Sequence, residues 1–171
     1  RRVLENKLSD FEEYLRFVQS NGRGEFRSLC DAVTTNETYF FREPLQFDVF
    51  AKHVVPRALE GKRVPSLRIW SAACSTGEEP YTVAAILREN VPGVRAEVLG
   101  TDISEAALDS ARRGVYTSYA VRGVPPAYQR KYFRTENDGY VLDEGIRKAV
   151  RFQNVNLVDE KQVRTIRDID V

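Results

Sequence analysis

Residues 68–81 read RIWSAACSTGEEPY and contain the end of one predicted element and the start of the next. The segment Leu67–Ala72 predicts a strand, and Pro80–Asn90, which has apolar residues at helical spacing, predicts a helix. The loop between them consists of small residues and ends at Gly77. This order of elements is typical of a nucleotide-type cofactor site, because small side chains let a ligand approach the backbone closely.

The same alternation of strand and helix continues down the chain. Residues 96–101 predict a second strand, and Ser104 predicts the N-cap of a helix that runs to Arg113. Further extended segments are predicted at 139–142, 150–153 and 169–171. Strands that alternate with helices pair in parallel through right-handed crossovers. The predicted fold class is therefore α/β, with a partial doubly wound, Rossmann-like sheet.

Residues 1–60 have a different character. Apolar residues recur at helical spacing in 4–18, where Ser9-x-x-Glu12 predicts a capping box and Asn21-Gly22 the helix end. A second helix is predicted around residues 26–33 and a third after Pro44. We therefore predict a small helical N-terminal domain over residues 1–60 and a cofactor domain over residues 61–171, joined by a polar stretch with Gly and Pro.

Composition excludes several classes of protein. The 171 residues include 26 Lys and Arg against 25 Asp and Glu, a balance that argues against nucleic acid as a partner. No apolar run approaches the ~18 residues of a membrane span, so no membrane insertion is expected. Cys30 and Cys74 lack CxxC spacing and there is one histidine, which excludes a Cys/His zinc site and favours a reducing compartment. The absence of methionine predicts that the chain has been trimmed at its N-terminus.

The charges of the loop indicate which kind of cofactor it holds. Glu78 and Glu79 directly follow Gly77, and a dinucleotide-type G-x-G-x-x-G spacing is missing. Two carboxylates repel phosphate and favour a cationic ligand without phosphate, such as S-adenosylmethionine. Ala73 and Ser75 stand where methyltransferase loops have small residues. A dinucleotide-binding oxidoreductase, or a helix that merely carries two stabilising acids in its first turn, stays open.

Asp102 is the second candidate for cofactor binding. It lies 25 residues after Gly77, at the carboxyl end of the second predicted strand. A carboxylate in that position accepts hydrogen bonds from ribose hydroxyls in sheets of this kind. The loop and Asp102 together predict an adenosine-containing cofactor.

Two long motifs make the chain resemble a known family. Residues 34–43, TTNETYFFRE, and residues 68–81 closely resemble segments of the CheR-type chemotaxis receptor glutamate O-methyltransferases. Shorter segments extend the likeness in the same order along the chain: 100–104 (GTDIS), 111–116 (ARRGVY), 130–133 (RKYF) and 150–157 (VRFQNVNL).

This resemblance implies an enzyme of the cytoplasm that transfers methyl from S-adenosylmethionine to glutamate side chains in the cytoplasmic helices of chemoreceptors. It also implies that the domain continues beyond Val171. The alternative that stays open is a non-catalytic regulatory module that binds S-adenosylmethionine. The N-terminal helices are implied to recognise the receptor, although the near-equal charges of residues 1–30 also fit a plain helical cap.

The resemblance implies a role for individual residues as well. Glu79, with Glu78 as close competitor, is implied to bind the amino-acid part of the cofactor, and Asp102 its ribose. Ala73 belongs to the loop that the cofactor approaches. The remaining implied cofactor residues are Asn36, Thr38 and Arg42 from the first motif and Asn156 with Leu157 from the last.

Arg42 is also the candidate catalytic residue. A guanidinium can hold a carboxylate through two parallel hydrogen bonds, either that of the cofactor or that of the incoming glutamate. We predict such a positioning role over an ion pair with Glu43. No general base is expected, because a glutamate carboxylate is already deprotonated at neutral pH. Phe40 and Phe41 are predicted to pack in the core and not to stack on adenine.

Overall fold

A computed structural model describes residues 1–20, 23–137 and 139–171 of the chain. The predicted helix end at Asn21-Gly22 lies outside these residues. Within the described ranges, no helix has both the length and the apolar character that a membrane crossing requires. The α-helices are α1 (Arg2–Glu5), α2 (Phe11–Ser20), α3 (Arg23–Val33), α4 (Pro44–Val49), α5 (Val55–Leu59), α6 (Glu78–Asn90), α7 (Glu105–Arg113), α8 (Ser118–Val121), α9 (Pro126–Tyr132), α10 (Glu144–Lys148) and α11 (Glu160–Val163). A π-helical segment, Phe50–Val54, joins α4 to α5.

The main sheet is parallel, as the alternation of strands and helices predicts. Its strands are β1 (Ser66–Ala72), β2 (Arg95–Asp102) and β6 (Val150–Asn154), in the order β1-β2-β6. Helix α6 connects β1 to β2, and α7 begins shortly after β2. Parallel pairing brings the carboxyl ends of all three strands to one edge, where the chain leaves each strand in a polar loop.

The loop after β1 turns sharply into α6. Ala73 and Ser75 have φ of 57° and 49°, and Gly77 has φ of 90° at the N-cap of α6. A Cβ atom on Gly77 would lie 2.8 Å from the Cβ of Ala111, so glycine is required both for the backbone angle and for the approach of α7. The structure thus gives Gly77 a packing role, and the predicted approach of a ligand to the loop stays a prediction.

Helix α7 begins and ends as its sequence predicts. The Ser104 hydroxyl accepts a hydrogen bond of 3.1 Å from the Ala107 amide, and Gly114 ends the helix in the left-handed conformation. The capping-box prediction at Ser9-Glu12 is wrong by one residue. The box lies at Asp10 and Glu13, because the Asp10 carboxylate accepts from the Glu13 amide at 2.7 Å and Glu13 reaches back to the Ser9 amide at 2.8 Å.

A second, antiparallel sheet lies between β2 and β6 in the chain. Its strands are β3 (Val115–Tyr116), β4 (Phe133–Glu136) and β5 (Gly139–Leu142), in the order β3-β5-β4. The sequence predicts β5 as an extended segment but does not predict the sheet. Strands of two to four residues are too short to show a period of alternation, so their pairing depends on tertiary contacts.

The core joins residues from both predicted domains. Phe40 is 2% exposed and makes edge-to-face contacts with Tyr116 and Phe133, at ring-centroid distances of 4.7 and 5.0 Å. This confirms that Phe40 packs in the core. Val55 belongs to the same apolar cluster as Leu67 of β1. The domain boundary near residue 60 stays a prediction. Wherever that boundary lies, apolar residues of segment 40–59 pack in the same core as the strands of the main sheet.

Candidate functional site

Two adjoining cavities lie where the strands of the main sheet end. The first, called here the strand-end cavity, has a volume of about 280 Å³. Its lining combines the loops after β1, β2 and β6 with the extended segment that follows α3. The lining residues are Thr34, Thr35, Asn36, Ala73, Ser75, Asp102, Ile103, Val155, Asn156 and Leu157.

The second cavity, called here the α8 cavity, has a volume of about 510 Å³ and lies beside the start of α6 and α8. It shares Asn36 with the strand-end cavity. Its lining residues are Asn36, Glu37, Thr38, Thr76, Glu78, Ser110, Val115, Tyr116, Thr117, Tyr119 and Ala120. The segment 36–38 therefore lies at the junction of the two spaces.

Most of the predicted cofactor residues meet at these cavities. Glu79 and Arg42 are the exceptions, since neither is among the lining residues. The other six come from four segments that are far apart in the sequence: Asn36, Thr38, Ala73, Asp102, Asn156 and Leu157.

Asp102 is held rigidly at the end of β2. One carboxylate oxygen accepts a hydrogen bond from the Ser75 amide at 2.7 Å, and the other accepts from the Ser104 amide at 2.9 Å. The residue is 8% exposed and lines the strand-end cavity. Because each carboxylate oxygen has two lone pairs, both oxygens can still accept a hydrogen bond from a ligand. This arrangement suits a pair of neighbouring hydroxyl groups.

The loop after β6 forms another part of the strand-end cavity. The Asn156 amide donates to the Gln162 side chain at 3.0 Å, and the Asn156 side-chain oxygen accepts from the Val158 amide at 3.1 Å. Leu157 is 46% exposed, which is high for an apolar side chain. The turn thus offers one polar and one apolar surface to a ligand.

The two neighbouring glutamates of α6 have different environments. Glu78 is 3% exposed, lines the α8 cavity and accepts a hydrogen bond from the Thr76 hydroxyl at 2.7 Å. Burial raises the pKa of its carboxyl group. Glu79 is exposed and accepts a hydrogen bond from the Ser71 hydroxyl at 2.6 Å, at the end of β1. The predicted role of Glu79 therefore concerns a surface outside the two cavities.

Arg42 lies at the surface beyond the α8 cavity. Its guanidinium donates to the Glu37 carbonyl at 2.9 Å, and its own carbonyl accepts from the Tyr39 hydroxyl at 3.3 Å. Both residues are described, and no ion pair joins Arg42 to the neighbouring Glu43. Since one hydrogen bond uses only part of the guanidinium, the fork keeps donors for an incoming carboxylate.

The charge of the lining indicates which cofactors fit. Among the described residues that line either cavity, none is a lysine or an arginine, whereas Glu37, Glu78 and Asp102 are acidic. A pyrophosphate would meet carboxylates and no basic residue in the lining itself, at a cost that rises as the site excludes water. A cationic cofactor with ribose hydroxyls and no phosphate fits the same residues well.

Cys74 lies beneath the loop but is chemically inert at neutral pH. It is 3% exposed, and burial, followed by the charge of Asp102, raises the pKa of its thiol to about 12. Among the described residues, no three or more His, Cys, Asp or Glu side chains are grouped so that they could hold a metal ion.

Several residues of the site were not predicted from the sequence. Glu37 and Tyr116 line the α8 cavity, and the Tyr116 hydroxyl donates to the Thr76 carbonyl at 2.9 Å. The Ser75 hydroxyl donates to the Asn36 side chain at 3.2 Å. The small-residue loop was a signal for Ser75. For Tyr116 the signal was its place in the family-like segment 111–116, whereas its contact with Thr76 was not foreseeable because that partner lies 40 residues away in the sequence.

Comparisons with known proteins indicate the family of the chain. The family model described as "CheR methyltransferase, SAM binding domain" matches residues 36–171. The chemotaxis protein methyltransferase of Borreliella burgdorferi is 37% identical over 177 residues, which cover 93% of this chain and 62% of that protein. Chemotaxis protein methyltransferase 2 of Vibrio cholerae is 36% identical, with 92% and 56% covered, and chemotaxis protein methyltransferase 1 of Pseudomonas aeruginosa is 34% identical, with 89% and 58% covered. The chain therefore spans 56–62% of the length of these relatives.

Proposed function

The chain belongs to the CheR methyltransferase family, whose domain binds S-adenosylmethionine, and we propose that it functions in a protein-glutamate O-methyltransferase whose substrates are chemoreceptors. The modification would be a methyl ester on glutamate side chains of the cytoplasmic receptor helices. The observation that carries the proposal is the meeting of six predicted cofactor residues, from four separate segments, at two adjoining cavities without basic lining residues.

Specific residues would hold each part of the cofactor. Asp102 would accept hydrogen bonds from the ribose hydroxyls, which its two amide-bound oxygens leave room for. Asn156 and Leu157 would contact the adenosine from the loop after β6. Glu79 is the carboxylate proposed for the ammonium group although it lies outside the two cavities, and Glu78, which lines the α8 cavity, is its competitor.

The chemistry depends on position more than on proton transfer. When bound, S-adenosylmethionine supplies an electrophilic methyl group on its sulfonium. The substrate carboxylate is deprotonated at neutral pH, so no residue of this chain has to act as a general base. The contribution of the protein is to align the carboxylate and to exclude water from it, and alignment alone can supply ~7–11 kcal/mol.

Arg42 is proposed as the residue that positions a carboxylate. Its guanidinium is exposed, close to the α8 cavity through its bond to the Glu37 carbonyl. A planar fork orients a carboxylate through two hydrogen bonds, which a lysine cannot do. Arg42 would hold the incoming glutamate or the carboxylate of the cofactor.

The finer architecture is part of the same proposal. The strand order β1-β2-β6, with crossover helices, supports a Rossmann-like sheet, and α1 to α3 support a helical N-terminal domain. The proposed location is the cytoplasm, where receptor helices are accessible.

Transfer of a labelled methyl group tests the function. The protein that carries this chain is incubated with S-adenosylmethionine labelled with tritium in its methyl group and with a cytoplasmic chemoreceptor fragment. We expect label on the fragment that base releases as methanol, and none on a fragment whose methylated glutamates are replaced by alanine. Tight cofactor binding without transfer would favour a non-catalytic module instead.

A further inference from the structure

The strand-end cavity has two walls that come from distant parts of the chain. One wall consists of the loops at the ends of β1, β2 and β6, including Asp102. The other, called here the N-terminal wall, is the segment 34–36 that follows α3. Within the described part of the chain, no helix or strand joins segment 34–36 to the strand ends, and side-chain hydrogen bonds connect the two walls.

Two side-chain bridges cross between these walls. At the rim, the Ser75 hydroxyl donates to the Asn36 side chain at 3.2 Å. On the α3 side, the Ser104 hydroxyl donates to the Asp31 carboxylate at 2.7 Å. The second bridge is the shorter of the two, and its donor, Ser104, is fully buried.

Ser104 connects Asp31 directly to Asp102, the residue predicted to bind the ribose. Its side chain is fully buried at 0% exposure, and its amide donates to the Asp102 carboxylate at 2.9 Å. Its hydroxyl has a single hydrogen, and donation of that hydrogen to Asp31 directs the lone pairs toward the Ala107 amide that it caps. Asp31 thus fixes the orientation of a hydroxyl that is bonded on both sides.

Asp31 also fixes the N-terminal wall through its own helix. Helix α3 contacts α7, which begins at Glu105, just after Ser104. The segment 34–36 follows α3 directly, and the Thr34 amide donates to the Cys30 carbonyl at 3.0 Å. A shift of α3 relative to α7 would therefore move the N-terminal wall away from Asp102.

We propose that Asp31 is a positioning residue, which sets the width of the strand-end cavity through its hydrogen bond with Ser104 and thereby the affinity for the cofactor. This inference rests on the proposed function, because the adenosine of the cofactor is the group that the cavity would hold. Asp31 touches no ligand itself. It acts on Asn36 through α3 and on Asp102 through Ser104.

Calorimetric titration of the 171-residue chain with S-adenosylhomocysteine tests this role. Asp31→Ala is expected to weaken binding about fivefold, the range seen when a residue acts on a site through its neighbours. Asp31→Asn is expected to stay within about twofold of the unaltered chain, because an amide oxygen still accepts the Ser104 hydrogen. Asp48→Ala, which removes an exposed aspartate paired with Lys52, is the matched control and should leave affinity unchanged.

A double-mutant cycle separates positioning from a general loss of stability. If Asp31 positions the N-terminal wall, Asn36→Ala should cost less affinity in the Asp31→Ala background than in the unaltered chain. Ser104→Ala tests the same bond from its other end, and combining it with Asp31→Ala should add little further loss. Circular dichroism establishes that each variant is folded before titration. If Asp31→Ala does not fold, Ser104→Ala is used in its place.

The outcomes distinguish this inference from the proposed function. If the unaltered chain does not bind S-adenosylhomocysteine, the cofactor site and this inference both fail. If it binds and Asp31→Ala binds equally well, the inference alone is overturned. Equal losses in Asp31→Ala and Asp31→Asn would also overturn it, because the hydrogen bond would then not be the cause.

Discussion

The two walls of the strand-end cavity differ in how the fold positions them. The wall formed by the loops after β1, β2 and β6, called here the strand-end wall, is fixed by the backbone. Parallel strands end at one edge, and Asp102 accepts hydrogen bonds from two backbone amides. The N-terminal wall depends on side chains, chiefly Ser75 with Asn36 and Ser104 with Asp31. One wall is therefore formed together with the sheet, whereas the other can shift with α3.

Removal of the Asp102 carboxylate is expected to have the largest effect. Asp102→Ala should weaken binding of S-adenosylhomocysteine by ~1–3 kcal/mol, because hydroxyl donors of the ligand would be left unpaired in a buried site. The measurement is calorimetric titration, with Asp109→Ala on the exposed side of α7 as control. Unchanged affinity would show that the strand-end wall does not hold the ribose.

Replacement of Arg42 affects catalysis more than binding if the guanidinium positions the substrate. Arg42→Lys should lower kcat about tenfold, because a point charge cannot make the paired hydrogen bonds of a planar fork. The assay is labelled methyl transfer by the protein that carries this chain, with Arg63→Lys in the loop before β1 as control. A wild-type kcat in Arg42→Lys would show that Arg42 does not position the substrate.

The N-terminal wall should contribute less than the strand-end wall. Asn36→Ala removes one partner of the bridge to Ser75, and we expect a loss of ~0.5–1.5 kcal/mol in cofactor binding. Asn90→Ala at the far end of α6 is the control, since that side chain lines neither cavity. A loss larger than that of Asp102→Ala would reverse the ranking of the two walls.

Sequence patterns predicted the two walls unequally. The strand-end wall followed from periodicity and from the position of Asp102 after a strand. The N-terminal wall was accessible only through the motif at residues 34–43, because an extended segment has no periodic signature. Asp31 was not predicted at all, since it pairs with Ser104 across 73 residues of sequence. The antiparallel sheet was missed for the same reason, as strand pairing at β3 depends on distant contacts.

The smallest expected effect is one of stability at the α8 cavity. Because burial raises the pKa of Glu78, its carboxylate destabilises the folded chain at neutral pH. This group favours folding below its ordinary pKa of 4.5, and that contribution is lost as the pH rises through the folded-state pKa. Glu78→Gln should therefore increase the free energy of unfolding by ~0.5–1 kcal/mol at pH 7.

Urea denaturation at two pH values measures this effect. The gain from Glu78→Gln should shrink near pH 4, where the unaltered carboxyl becomes protonated as well. Glu79→Gln is the matched control, because Glu79 is exposed and should leave stability unchanged at both pH values. A lower free energy of unfolding for Glu78→Gln at pH 7 would contradict the claim that burial of the Glu78 carboxylate destabilises the folded chain.

A parallel titration of the unaltered chain with S-adenosylhomocysteine and with NAD⁺ tests the specificity of the site. An acidic lining without basic residues should accept an adenosine cofactor that has no phosphate and disfavour one that has a pyrophosphate. We predict saturable binding of S-adenosylhomocysteine and at least tenfold weaker binding of NAD⁺, equivalent to about 1.4 kcal/mol. Tighter binding of NAD⁺ than of S-adenosylhomocysteine would contradict the claim.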